Sequence, residues 1–278
     1  MGNNSLKTKS FYLLMFLMLD ILSAQTLKLE DIPGDKLQFG FVFEKPFYAL
    51  DRNLSTLSGE YQLSVNIPLS SKLNIIGKIP FINTSFDVDY GFDHFSYSRN
   101  GLGNIFIGLQ TKPVVMESQR SIVTFGLFLP TADKEASYYG FSTDYYGIQK
   151  FVPNSFGIYF NYAYHKIKDE GFNYGFEIGP NVFIATEEGS GTELFMHYGV
   201  NTGYQINKLL LNIELLGIAI VSENIEEFGD RFVHTLDFGA QWKEIMVTPK
   251  IYYKIYLKEK LRESVDGVLG IGVSVSID

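Results

Sequence analysis

The sequence predicts an all-β protein, an antiparallel transmembrane β-barrel of about twelve strands (alternatively fourteen), after an N-terminal signal peptide. Three observations predict it. The chain opens with an export signal and has no later apolar helix, its residues alternate at period two almost throughout, and its strand lengths and connections suit a bilayer. Composition agrees. Of the 278 residues, 46% are hydrophobic and 19% charged, with 24 Phe, 18 Tyr and 26 Gly, and the charged share lies below the roughly 25% usual in soluble domains. Aromatic and β-branched residues favour strands.

The first element is residues 1–24. Lys7 and Lys9 form a positive start, Phe11 to Leu19 an apolar run, and Leu22-Ser23-Ala24 a small-residue cleavage site before Gln25. That order reads as a secretory signal, and the run is far short of the roughly 20 residues of a transmembrane helix. Residues 25–278 are then one barrel domain. The chain has no cysteine, which excludes a disulfide framework, a thiolate metal site and a lipid anchor. Its net charge of −8 and the absence of a basic run exclude a nucleic-acid partner.

Alternation supplies the strands. In 60–67, Tyr61, Leu63, Val65 and Ile67 share one face and Glu60, Gln62, Ser64 and Asn66 the other. Asn74 and Lys78 continue the polar face, and Leu73, Ile75, Ile79 and Phe81 the apolar one. Near the C-terminus, Leu269, Ile271, Val273, Val275 and Ile277 oppose Gly270, Gly272, Ser274 and Ser276. Such a strand needs an apolar medium on one side and close approach on the other. Strands are expected at 36–49, 56–69, 72–83, 102–112, 120–130, 140–152, 155–166, 192–205, 208–221, 230–241, 246–257 and 267–277. Segment 172–184 also reads as a strand and threatens the even count, either as part of an external hairpin or as two strands split at Gly179-Pro180-Asn181.

A secreted β-sandwich would alternate too. The expected strands, however, are about 9–13 residues long, as membrane strands are. Tight turns at Ser70-Ser71, Pro153-Asn154-Ser155 and Asn207-Lys208 alternate with longer polar connections at 83–100, 131–137, 222–229 and 258–266. Bacterial outer-membrane barrels show this asymmetry, with short periplasmic turns and long external loops. The expected location is the bacterial outer membrane, with lipid, lipopolysaccharide and the barrel-assembly machinery as partners.

Three segments carry a family resemblance. Gly101-Leu-Gly-Asn-Ile-Phe-Ile-Gly-Leu-Gln-Thr-Lys112 resembles the Gly-Leu-Gly-Asp-hydrophobic-Gly-Leu-Lys strand of an outer-membrane transporter family associated with the meta-cleavage pathway of phenol degradation. Phe125-Gly-Leu-Phe-Leu-Pro-Thr131 is similar to that family's next strand, and Ser142-Thr-Asp-Tyr-Tyr-Gly-Ile-Gln-Lys150 to the segment after it. The resemblance implies passage of a small solute, hydrophobic or aromatic in character.

Alternation places Glu60, Lys78, Glu193, Glu214, Arg231, Asp237, Lys250 and Lys254 on the inward faces, with Tyr159, Phe195, Tyr252 and Tyr256. These charges either pair into a network that fills the lumen or line a watery path and set its selectivity. The sequence leaves both open. His165 and His197 share the polar face, without a serine at the spacing a lipid hydrolase needs, and there is no G-x-S-x-G. Asp87, Asp89 and Asp93 form an acidic loop but do not match a calcium-binding loop. The expectation is a passive channel or transporter for small molecules, with no catalytic residue, cofactor or metal. A structural or surface-interaction barrel with a closed lumen is the alternative, and a lipid-acting barrel enzyme the further one.

Overall fold

A bilayer core offers backbone groups no hydrogen-bonding partner, so a strand-built span must close on itself. This chain does so. The computed structural model describes residues 27–29, 34–49, 53–54, 57–89, 94–112, 118–187, 191–222, 228–243 and 246–277. The expected signal segment, 1–24, lies outside the described residues, as does Asp93.

In chain order the strands are β1 (Leu37–Tyr48), β2 (Asn53–Leu54), β3 (Gly59–Pro68), β4 (Leu73–Asp89), β5 (His94–Leu102), β6 (Phe106–Thr111) and β7 (Gln119–Phe128), then β8 (Ser155–Lys166), β9 (Gly171–Ala185), β10 (Thr192–Ile206), β11 (Leu209–Ile220), β12 (Phe232–Trp242), β13 (Val247–Tyr256) and β14 (Val265–Ile277). Two helices complete the described elements, α1 (Lys134–Thr143) and the short α2 (Glu259–Arg262). Neighbours pair antiparallel from β3 round to β14, and β14 pairs β1 from Leu37↔Ile277 onward, while β1 pairs β3. β5 and β6 lie on the same edge of β4, interrupted at 103–105, so they count as one wall strand. The two-residue β2 only flanks the outer end of β4. The wall therefore has twelve strands.

The count agrees with the sequence, but one strand is exchanged. Residues 140–152 are not a strand. They complete α1, pass through a 3-10 turn at Ile148–Lys150, and lie inside the barrel. The wall position is taken by β9, a single strand through Gly179-Pro180-Asn181. Pro180 is accommodated because the β8–β9 register skips from Tyr159↔Asn181 to Tyr162↔Ile178, so no ladder bond is asked of its missing N–H. The segment expected as a loop at 83–100 instead prolongs the wall: β4 runs to Asp89 and pairs with β5 as a hairpin beyond the apolar zone.

The wall sorts residues as the pleat requires. Phe39, Phe41, Leu63, Ile67, Ile79, Leu109, Phe125, Leu211, Ile213, Phe238, Ile251 and Ile271 are exposed outward. Gln38, Gly40, Glu60, Ser64, Asn74, Gln110, Asn161 and Thr235 point inward. Such an outer face is stable against lipid tails. Among the described residues no helix is long and apolar enough to cross a membrane; crossing is by strands. Asn207, in the two-residue turn between β10 and β11, adopts a φ of 51°, as tight hairpins require.

Candidate functional site: a lumen filled by two chain segments

The lumen is occupied by chain, not only by wall side chains. The first occupant is the connection between β7 and β8. It opens at Pro130-Thr131, where Asp133 caps α1 by accepting hydrogen bonds from the N–H groups of Glu135 and Ala136 at 3.1 and 2.9 Å. That side chain satisfies donors a helix start leaves orphaned. The Ala136 N–H bond, opposed by slight burial and supported by Arg99, holds the Asp133 carboxyl below its ordinary range. Ala136 and Phe151 pack on Ile82 of β4. Across the barrel, the Tyr256 hydroxyl of β13 donates to Ser142 O at 3.1 Å and accepts from the Tyr145 N–H at 3.3 Å. The segment thus spans the lumen from β4 to β13.

Asn104, fully buried in the β5–β6 interruption, locks this segment to the wall. Its Nδ2 donates to Gln149 O at 3.2 Å and Val152 O at 2.7 Å, and its Oδ1 accepts from the N–H groups of Thr131 at 3.1 Å and Ala132 at 3.0 Å. Its own N–H donates to Lys150 O at 2.6 Å. The Thr131 hydroxyl donates to Gly103 O at 2.8 Å. Gly103 is required here, since a Cβ would lie 2.5 Å from Lys150 O and 2.8 Å from Pro80. The three segments that carry the family resemblance therefore meet in one joint.

The second occupant is residues 27–29, an N-terminal strap. Glu214 of β11 accepts three backbone N–H bonds from it, from Leu27 at 2.7 Å, Lys28 at 2.9 Å and Leu29 at 3.3 Å. Lys250 donates to Leu27 O at 2.8 Å. Leu29 enters a cluster with Tyr146, Ile148, Phe183, Phe195, Leu216 and Ile218. The Lys28 ammonium lies 2.9 Å from both Glu44 and Asp144.

A charge network joins strap, inward segment and wall. Lys150 pairs with Glu60 and, at 2.6 Å, with Asp144. Lys254 lies 2.9 Å from Asp144 and 3.4 Å from Glu44, and the Tyr252 hydroxyl donates to Glu44. Burial works against ionisation of Asp144, yet Lys150, Lys254 and Lys28 together hold its carboxyl well below the usual range. Buried charges persist only when matched in this way. One oxygen from each of Glu44, Glu60 and Asp144 lies within 4.8 Å of the others, a spacing that could hold a cation; the three lysines supply that positive charge here.

The eight inward candidates divide. Glu60 and Lys254 belong to the network. Glu214 and Lys250 hold the strap. Asp237 of β12 is fully buried, opposite Glu214 on one side and Lys254 on the other, and neither of its carboxylate oxygens has a hydrogen-bond partner among the described residues. The Lys78 ammonium sits over the Phe106 ring at 5.6 Å. Glu193 stands at the start of β10, half-buried, and Arg231 lies outside the wall strands in a 3-10 turn at Phe228–Arg231. Tyr159, Phe195, Tyr252 and Tyr256 are all buried. Sequence reasoning missed Lys28, Asp144 and Lys150 because they ride on the two occupants, and missed Glu44 and Glu177 of the wall. Asp133 before Glu135 was a readable cap signal for α1.

His197 is fixed between two amides, its Nδ1 3.0 Å from Asn181 and its Nε2 3.0 Å from Asn161, and it stacks on Tyr159 at 4.9 Å. That arrangement orients an imidazole without offering a nucleophile. Beside the occupants lies a cavity of about 190 Å³, with Gln38, Gln62, Ser64 and Asn66 on one wall and Phe106, Phe128 and Tyr159 on another.

Comparison with known proteins fits this geometry. No protein-family model matches the chain, and no curated protein matches it by sequence. Among solved structures, an outer membrane channel from Pseudomonas putida F1 is similar with a TM-score of 0.64 at 13% identity, over 91% of this chain and 100% of that one. The NanC porin is similar with a TM-score of 0.50 at 11% identity, over 87% of this chain and 100% of that one. The chain is an outer-membrane β-barrel. At these identities the likeness carries the fold alone.

Proposed function

We propose that this barrel is a passive, non-enzymatic outer-membrane channel for small solutes, closed by its strap. The observation that carries the reading is the strap. It is held on side chains of the wall, by a carboxylate, an ammonium and an apolar cluster, and its withdrawal would lengthen the existing cavity along β10–β12 without disturbing any wall strand. The aromatic wall of Phe106, Phe128 and Tyr159 suits a solute with an apolar or ring-shaped part, in keeping with the resemblance to a transporter family linked to phenol degradation. Lipopolysaccharide around the outer rim and the barrel-assembly machinery are the partners this location implies.

A barrel whose lumen stays closed and which serves a surface role is the competing reading, favoured by the charge network and by the joint at Asn104. Planar-bilayer recording separates the two. The full chain is expected to show brief or small openings, and the chain lacking residues 27–33 steady openings of clearly larger conductance. Silence from both proteins, each shown folded by a compact gel band before boiling, would rule out the channel.

A further inference from the structure

The strap is itself a record of what the lumen wall binds. Everything it offers to wall carboxylates is an N–H donor: three backbone N–H groups on Glu214, and one primary ammonium between Glu44 and the inward segment's Asp144. Three N–H donors converging on one carboxylate are also what a free primary ammonium presents. Asp237 adds an independent observation. It is a buried carboxylate beside Glu214 with both oxygens unpartnered among the described residues, and its strand neighbour Lys254 is directed to Asp144 and Glu44 instead. A buried carboxylate left in this condition is costly, and a donor or cation at that spot would relieve it.

The lumen's charge balance points the same way. Inside the lumen, Glu44, Glu60, Asp144, Glu177, Glu214 and Asp237 face Lys28, Lys78, Arg120, Lys150, Lys250 and Lys254. Withdrawal of the strap removes Lys28, uncovers Glu214 and tips this even count towards the carboxylates. Clefts with low-dielectric walls focus such an imbalance on passing ions.

We propose that the strap is a tethered stand-in for a cationic solute, and that the opened lumen selects cations, with Glu214 and Asp237 as the selective pair and small primary ammonium compounds as the favoured organic class. This rests on the strap-closed channel reading above. The Glu214 carboxylate takes the ammonium in place of the strap's N–H groups, and Asp237 supplies the second acceptor.

The test is a reversal potential across a potassium chloride gradient, measured on the chain lacking residues 27–33, followed by replacement of potassium with propylammonium. Cation permeability is expected to exceed chloride permeability several-fold, and propylammonium to carry current. Asp237→Asn with Glu214→Gln in the same background is expected to cut the ratio at least by half. A ratio at or below one, or a ratio the double substitution leaves unchanged, overturns the inference while the channel stands. A strapless barrel that conducts no more than the full chain overturns the channel reading as well. The potassium-to-chloride ratio needs no wall substitution, so a variant that fails to fold does not remove the test.

Discussion

The two segments that fill the lumen are held in contrasting ways. The β7–β8 connection is continuous with wall strands at both ends and is locked by Asn104, whose side chain and N–H satisfy five backbone groups of the wall-to-segment joint. The strap lies before β1 in the chain, and its described backbone donors converge on a single wall carboxylate. One is tied in through the backbone of the wall joint, the other through wall side chains, as a ligand is. Partners decide this, not depth, for both are buried.

Asn104→Ala breaks the comparison from the structural side and carries the largest expected effect. It strands the Gln149 carbonyl and the Ala132 N–H, while Val152 O keeps the Ser155 hydroxyl and the Thr131 N–H keeps Leu129 O, and each orphaned group costs about 1–3 kcal/mol. The barrel is expected to lose on the order of 3 kcal/mol, read as a lower urea midpoint in lipid vesicles. An unchanged midpoint would show that the inward segment does not support the wall.

Leu29→Ala probes the other occupant. Removing the side chain from its cluster costs about 2 kcal/mol at the strap, a ~30-fold gain in the open-to-closed ratio. Because the strap can leave without unfolding a strand, the urea midpoint is expected to stay near that of the parent chain. A large fall in midpoint without a gain in open time would make the strap a structural member too.

The smallest effect concerns pH. The Asp133 carboxyl is held low by the Ala136 N–H and by Arg99, so its contribution is fully present above the ordinary aspartate value of ~3.9. It is lost as pH falls through the lowered folded value. Amide exchange within α1 is expected to speed up on acidification into that range. Asp133→Ala is expected to cost the helix about 1 kcal/mol and to flatten the pH response; a variant that kept the full response would assign it to another group.

These differences also account for what was readable from the chain. The wall was legible because each strand repeats one rule: Tyr61, Leu63, Val65 and Ile67 outward, Glu60, Gln62, Ser64 and Asn66 inward. Alternation likewise brought out Glu214 and Asp237. The filling obeys no period. Gly140-Phe-Ser-Thr-Asp-Tyr-Tyr-Gly has strand-like residue types, yet Ala136, Gly140 and Thr143 are buried at the three- and four-residue spacing of a helix face. Lys28 sits where signal-proximal sequence reads as a linker, and its partners Glu44 and Asp144 lie 16 and 116 residues away. In β9, Gly179-Pro180 imitates a turn, and only the skipped pairing with β8 explains why the strand continues.

The strap's position in the chain has a consequence for the order of events. Leu27 comes before every wall strand, yet its acceptor Glu214 lies 187 residues downstream. Consecutive wall strands close short loops, whereas this contact, like the β1–β14 seam that starts at Leu37↔Ile277, joins distant parts of the chain, and such contacts come late because their entropy must be overcome first. Glu214 is also in place only when β11 has joined the sheet. Filling of the lumen by the strap and closing of the wall therefore both belong to the late steps of folding.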